Sequence, residues 1–419
     1  MTYAPRLLAT ALVRPPLSKV AVVEGARGVG KTTLMKKDLV RQGFSYSTLA
    51  DPATLALARA DVTGWVGRLE LPAIVDEAQL LLDLPLAVKE RVDGLPLGRH
   101  IVLTGSASIG RAGLGGADPL TRRARRFTLW PLTAWELAGG TGSLADCLFD
   151  AEPVVGKVAG RDDDAVLTMM AVGGFPDYAL ADPAPTVAEM AQGVASDLAS
   201  LFSQTVLPNS DYSAVRATAV CQALMTTPGA IFNASRIGQT LGFDRRTVDN
   251  YLGLLGRLFC IHWLSNLATS APRQGFTRAK VHPVDSSLAV AALTRAGVDL
   301  LSAREAFGQV LESWAVNQIV ASTGWSLGGQ TAHYWRQAAG DREVDLVLTD
   351  AHGRRVGVEV KAGRVYDSNW LRGLRALETA DRLHRGFVIY TGNEVYPVDH
   401  NIWLIPVTAL GDPKAWRVD

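Results

Sequence analysis

Cysteine is scarce: three occur in 419 residues, at positions 147, 221 and 260, and no two are spaced as C-x-x-C. That excludes a disulfide framework and a cysteine zinc site, and it fits a reducing cytoplasm. Charge imbalance is missing too. Forty-two Lys and Arg stand against 41 Asp and Glu, a formal net charge of +1, so contact with nucleic acid must come from local patches. No apolar run reaches the roughly 18–20 residues of a membrane helix, because charges or His interrupt stretches such as LGLLGRLFCIHWL at 252–264. The N-terminal MTYAPRLLATALVRPPLSKV lacks the charged, apolar and cleavage-site order of a signal peptide. Internal repeats and low-complexity tracts do not stand out either. The expectation is a cytoplasmic protein with no membrane partner.

What is present is a chain that is 48% hydrophobic and long enough for two or three domains. From residue 20 to about 135, the apolar runs KVAVVEG, LPAIVDEAQ and HIVLTGSAS alternate with helical segments, TTLMKKDLVRQG among them, ending at Gly43. This is the rhythm of a parallel α/β sheet. Between about 150 and 215, an acidic run, GRDDDAV, precedes LTMMAVGGFPDYAL and VAEMAQGVASDLASLF, whose apolar spacing is helical. Further helices follow to about 290. From about 300 the pattern changes to one helix and then the strands HYWRQ, EVDLVLTD and RVGVEVKAG.

The run Gly25, Ala26, Arg27, Gly28, Val29, Gly30, Lys31, Thr32, Thr33 fits G-x-x-x-x-G-K-[ST], with a strand before it and a helix after. Small residues let backbone N–H groups wrap phosphates, Lys31 neutralises β/γ charge and Thr32 can hold Mg²⁺. The expected cofactors are therefore ATP and Mg²⁺. AIVDEAQ at 73–79 adds Asp76, at a strand end, for the metal shell and Glu77 to polarise an attacking water. The strand IVLTGS presents Thr104 or Ser106 towards the γ-phosphate, or else a turn hydroxyl. Arg122, Arg123, Arg125 and Arg126 crowd LTRRARRFTLWP at 120–131. One of them suits an arginine finger, within the chain or across a subunit interface, with a solvated basic strand edge as the competing reading.

The order of GARGVGKTT, IVDEAQ, LTGSAS, RARRFTLWPLTAWE, GGFP at 173–176 and YWRQ…EVDLVL…VEVKAG resembles the prokaryotic AAA-type ATPases followed by a conserved C-terminal domain of unknown function. The resemblance covers most of the chain. It implies that Arg123 is the counterpart of that family's arginine, preceded here by Arg122 where the family usually has Gly. An arginine acting across subunits would make the protein a homo-oligomer.

Residues 233–263 show helix-turn-helix spacing: Ile237 and Leu241, a turn at Gly242, then Val248, Leu252 and Leu255. Asp244 is placed to cap the second helix, which carries Arg245, Arg246 and Asn250 where a groove-reading helix would. The family resemblance also implies a winged-helix-like module here, and DNA is the expected partner. In EVDLVLTDAHGRRVGVEVKAG a polar turn at His352 and Gly353 joins two strands. Pairing about that turn sets Asp345 opposite Glu359, with Lys361 on the same face, and Glu312 is a third acid upstream. This resembles the D…(D/E)xK core of restriction-type endonucleases, in which Asp345 and Glu359 would be metal ligands and Lys361 would position water. Arg336, Arg342, Arg364 and Arg372 are candidate phosphate contacts.

The expected fold class is α/β. A P-loop ATPase core spans 1–145, a helical lid or connector 146–215, a winged-helix-like module 216–295 and a nuclease-like α/β domain 296–419. Two functions fit: an ATPase whose nucleotide state controls a DNA-binding, DNA-cleaving C-terminal domain, or an ATP-dependent switch that binds DNA or protein without cutting.

Overall fold

The computed structural model describes residues 3–14, 18–106, 109, 118–205, 212–268, 278–337, 342–381 and 383–417. Residues 107 and 108 of LTGSAS and part of the N-terminal stretch lie outside the described residues. The chain divides into two compact units: Pro5–Pro131 with Arg257–Phe259, and the remainder, from Leu132 to Gly256 and from Cys260 on.

The first unit is built on five strands, β1 (Val20–Glu24), β2 (Ser45–Thr48), β3 (Ala73–Asp76), β4 (Ile101–Gly105) and β5 (Ala124–Thr128). They form one sheet in the order β2-β3-β4-β1-β5, and every pairing is parallel. All residues of β1, β3 and β4 are buried. Central strands covered on both faces have no polar side to show, which is why the sequence reads there as unbroken apolar runs. Against one face pack Pro52–Ala60, Val62–Gly67 and Leu84–Asp93, through Ala58, Val66, Leu84, Val88 and Val92. Asp51 and Asp61 cap the first two of these helices, accepting from the N–H groups of Thr54 at 2.8 Å and Gly64 at 2.7 Å. The segment after the P-loop is helical as its spacing predicts, but not uniformly α. Lys31–Leu34 is α-helical, Met35–Leu39 widens to a π turn, Val40–Gln42 tightens to 3₁₀, and Gly43 stops it at φ 89°.

In the second unit, helices Asp163–Val172, Val187–Thr205, Ala214–Met225, Ala234–Leu241, Arg245–Arg257 and Ser286–Arg295 follow two short strands, β6 (Glu152–Pro153) and β7 (Gly156–Lys157). β8 (Ile261–Leu264) and β9 (Lys280–Pro283) form an antiparallel pair in the register Ile261↔Pro283. The long helix Arg304–Ser322 is buried continuously from Ser313 to its end. It precedes β10 (Thr331–Arg336), β11 (Glu343–Thr349), β12 (Arg355–Lys361), the helix Arg372–Asp381, β13 (Arg385–Tyr390), β14 (Glu394–Asp399) and β15 (Ile402–Pro406). Their sheet runs β10-β11-β12-β13-β15-β14-β7, with β12, β13 and β15 parallel and the other neighbours antiparallel. A final strand, β16 (Trp416–Arg417), pairs with β6. Leu371, Leu374 and Leu377 fill the space between the Arg372–Asp381 helix and the sheet, against Val344, Val347 and Val388.

The GGFP stretch has a backbone cause. Gly173 ends its helix at φ 59°, and a Cβ on Gly174 would run into the carbonyl oxygen of Leu132. The buried carboxylate of Asp285 accepts from Gly174 N–H at 2.7 Å and Ser287 N–H at 2.9 Å, joining this turn to the start of Ser286–Arg295. Among the described residues no helix is long and apolar enough to cross a membrane.

Candidate functional site

The parallel sheet brings the ends of β1, β3 and β4 to one edge, where open α/β sheets hold their ligands. The loop after β1 carries Gly28 at φ 79° and Gly30 at φ 94°, in the left-handed region that glycine enters without steric cost. Gly25 has a different reason. A Cβ there would run into the carbonyl oxygen of Leu129. Arg27 and Thr33 are exposed, whereas Val29 is fully buried and anchors the loop.

Lys31 lies inside this loop, its Nζ donating to the carbonyls of Gly25 at 2.9 Å and Ala26 at 2.8 Å. Burial pulls its pKa down to about 8, against the attraction of Glu77 and Asp76. Phosphate oxygens would favour the ammonium, so nucleotide binding above about pH 8 should take up a proton and weaken as pH rises. Titration calorimetry at pH 7 and 9, in two buffers of different ionisation enthalpy, checks this. A proton uptake of zero at pH 9 would contradict it.

Asp76 is 1% exposed and collects four donors. Oδ2 accepts from Thr32 Oγ1 at 2.6 Å and the Tyr46 hydroxyl at 2.7 Å; Oδ1 accepts from the Thr104 hydroxyl and from Glu77 N–H at 3.1 Å. Thr104 therefore fixes the carboxylate from β4. Glu77 sits at φ 57°, a left-handed backbone that is costly for a non-glycine residue and recurs at functional sites. Its carboxylate accepts from Gln79 Nε2, which also reaches Ser106 Oγ at 3.3 Å. Sequence reasoning missed Tyr46 and Gln79. Tyr46 left no signal because the aspartate that holds it is 30 residues away.

Arg123 lies elsewhere. Its carbonyl accepts from Val20 N–H at the start of β1, the opposite end of that strand from the P-loop, and its guanidinium pairs with Asp93. Within one chain it is thus not brought to the phosphate site, and a finger within the chain is corrected on that ground. Arg122, where the resemblance leads one to expect Gly, takes φ 65°, so the backbone a glycine would adopt is kept. Arg126 is likewise committed, to Glu24 at 2.9 Å and Asp118 at 2.6 Å.

In the second unit the β11–β12 ladder pairs Leu346↔Val358 through Thr349↔Arg355. Beyond it Asp345 Oδ2 accepts from Val360 N–H at 2.9 Å. Glu359 Oε2 accepts from Lys361 Nζ at 2.7 Å. Asp345, Glu359 and Lys361 line one pocket of about 280 Å³ with Glu343, Arg342 and Arg372. Burial, then repulsion from Asp345, pushes the Glu359 carboxyl well above its ordinary range.

Lys280, on the fully buried strand β9, is the residue sequence reasoning missed here, because its burial and its partners are set by elements distant in sequence. It is 3% exposed. Its Nζ lies 2.6 Å from Glu343, 2.8 Å from Glu312 and 3.0 Å from Asp345. Burial alone favours a neutral amine, but Asp345, Glu312 and Glu343 outweigh it and hold the ammonium well above the usual lysine range. The two candidate cation sites thus differ. Around the P-loop, Thr32 and Asp76 are adjacent, joined by a hydrogen bond of 2.6 Å, and a hydroxyl beside a carboxylate is an oxygen donor set that suits Mg²⁺. Around Asp345 a cation is already in place, so a metal does not fit. No group of three or more His, Cys, Asp or Glu among the described residues is arranged to hold a metal ion.

The helices Ala234–Leu241 and Arg245–Arg257 are separated by Gly242 at φ 70°. Asp244 caps the second, accepting from Thr247 N–H at 2.9 Å. Arg245, Arg246 and Asn250 are exposed on it, Arg245 lying 3.6 Å from Asp249.

Residues 17–138 match the AAA domain family, 163–299 a domain of unknown function (DUF8612) and 307–410 another (DUF4143). No curated protein matches the chain. Among solved structures it is similar to a Walker-type ATPase of Pyrococcus abyssi, at 12% identity and TM-score 0.43 over 69% of this chain and 96% of that one. It is also similar to the Thermotoga maritima RuvB Holliday junction branch migration motor, at 16% and 0.27 over 61% and 85%. A third is the Aeropyrum pernix ORC1 protein in complex with DNA, at 15% and 0.25 over 71% and 91%. Likeness this loose carries no argument about function. The P-loop geometry and the matched family agree: the chain carries an AAA-type P-loop ATPase domain, joined to segments matching two domains of unknown function.

Proposed function

We propose that this protein hydrolyses Mg²⁺-ATP and that its nucleotide state controls a C-terminal domain that engages DNA without cutting it. The observation that carries the ATPase reading is Asp76, hydrogen-bonded to Thr32 and followed by Glu77 on a left-handed backbone. The loop N–H groups wrap the phosphates, and Lys31 exchanges its two loop carbonyls for β/γ oxygens. Thr32 and Asp76 would hold Mg²⁺, which spreads the charge developing on the transferred phosphoryl group. Glu77 accepts the proton of the attacking water once it parts from Gln79. Arg123, paired with Asp93 away from this edge, can serve as a finger only towards another copy of the chain.

The DNA part rests on the capped helix with exposed Arg245, Arg246 and Asn250, followed by the β8–β9 hairpin, an arrangement that suits a winged helix. For the last domain, a buried helix, the β10–β11–β12 meander, a further helix and the parallel strand β13 suit a restriction-endonuclease-like fold. Fold alone does not bring the activity, and Lys280 favours engagement over cleavage.

The test pairs ATP turnover with loss of supercoiled plasmid for wild type, Lys31→Ala and Glu359→Gln, and measures DNA binding between 50 and 200 mM salt (about 10³–10⁵-fold weakening for 6–10 phosphate contacts). Expected are turnover abolished by Lys31→Ala, salt-sensitive DNA binding that differs with and without ATP, and intact plasmid throughout. Cutting that Glu359→Gln removes would establish the nuclease instead, and salt-independent binding would sink the DNA reading.

A further inference from the structure

The carboxylates of the C-terminal pocket have the residue types of a metal site, and their surroundings contradict one. Glu312, Glu343 and Asp345 converge on a single point, and Lys280 Nζ fills it at 2.6–3.0 Å from all three. A divalent cation would need oxygen ligands within about 2.0–2.6 Å of that same point, and the buried ammonium would repel it with little water to screen the charge. Glu359, the fourth acid, is taken by Lys361 at 2.7 Å.

Lys280 is not poised to withdraw. On one side β9 pairs with β8, setting Lys280 opposite Leu264. On the other it bridges to Ile231, flanked by hydrogen bonds from Phe232 N–H to Ala279 O at 2.8 Å and from Val281 N–H to Ala230 O at 3.1 Å. The ring of Tyr334 has its centre 5.9 Å from the ammonium.

We propose that Lys280 is the resident cation of this cluster, standing where a divalent metal would bind, so that the C-terminal pocket works without a metal. The inference rests on the carboxylates and Lys280 alone and holds whether or not the domain meets DNA. A side chain that replaces the metal also makes a prediction in reverse: without its ammonium, the same acids become a metal site.

The experiment is Mn²⁺ binding to the full chain, without nucleotide, followed by electron paramagnetic resonance and by the shift in melting temperature. All variants carry Asp76→Asn so that the P-loop contributes nothing. Without further change the protein should show no Mn²⁺ binding that Asp345→Asn weakens. Lys280→Ala should gain one Mn²⁺ per chain and a melting temperature that rises with Mn²⁺, both lost again on adding Asp345→Asn. Lys280→Met, which keeps part of the packed stem, repeats the comparison if the alanine variant does not fold. Mn²⁺ bound with Lys280 present and weakened tenfold or more by Asp345→Asn would overturn the proposal. So would a folded Lys280 variant that gains no Mn²⁺.

Discussion

Glu77→Gln should lower ATP turnover by about 10²–10⁴-fold, the range for losing a general base, while nucleotide affinity stays within a few-fold of wild type. The amide keeps the size of the side chain, its hydrogen-bonding partner Gln79 and the left-handed backbone at φ 57°, and loses only the capacity to accept a proton. Among the described residues Glu77 bonds Gln79 and not the candidate phosphate loop, whose carbonyls at Gly25 and Ala26 take Lys31. Lys31→Ala should therefore fail at binding, whereas Glu77→Gln should bind and stall. Single-turnover kinetics beside equilibrium binding of a fluorescent ATP analogue separates the two. Turnover unchanged in Glu77→Gln would mean that water is activated by another group.

Lys280→Met should destabilise the second unit by about 3–5 kcal/mol at pH 8, the usual consequence of removing one partner from a buried ionic cluster. Three carboxylates within 3.0 Å of Nζ lose their counter-charge together. The sign of the pH effect follows. In wild type, burial and then Asp345 already raise the Glu312 pKa to about 7, with Lys280 opposing them. Without Lys280 the folded variant holds protons more tightly than folded wild type, so its deficit shrinks as pH falls from 8 towards 5. Urea denaturation at both pH values reads this directly. A loss below about 1 kcal/mol at pH 8, the range of exposed pairs, or one independent of pH, would show that the cluster is not the buried, charge-balanced unit described here.

Much of the candidate nucleotide site was legible in the sequence because its parts are local. The loop from Gly25 to Thr33 is continuous, and a doubly covered parallel strand must be apolar throughout, so KVAVVE, AIVD and IVLTG announced themselves. The strand-end carboxylates Asp76 and Glu77 followed from adjacency to such a run. Side-chain alternation placed Glu359 and Lys361 on one face, and the polar turn at 351–354 set the hairpin register.

The remainder depended on contacts between residues distant in sequence. Tyr46 meets Asp76, and Gln79 meets Ser106, only because neighbouring parallel strands bring their ends to one edge. Arg123 shares a basic tetrad with residues nearer the loop, yet strand direction carries it to the far end of β1, since the chain enters β5 there. The sequence by itself determined which acids the C-terminal hairpin presents. Only the tertiary structure decided what balances them, by threading a lysine 65 residues from Asp345 into their midst. Periodicity carries information along an element; the charge balance of a buried cluster is set by whatever element packs against it.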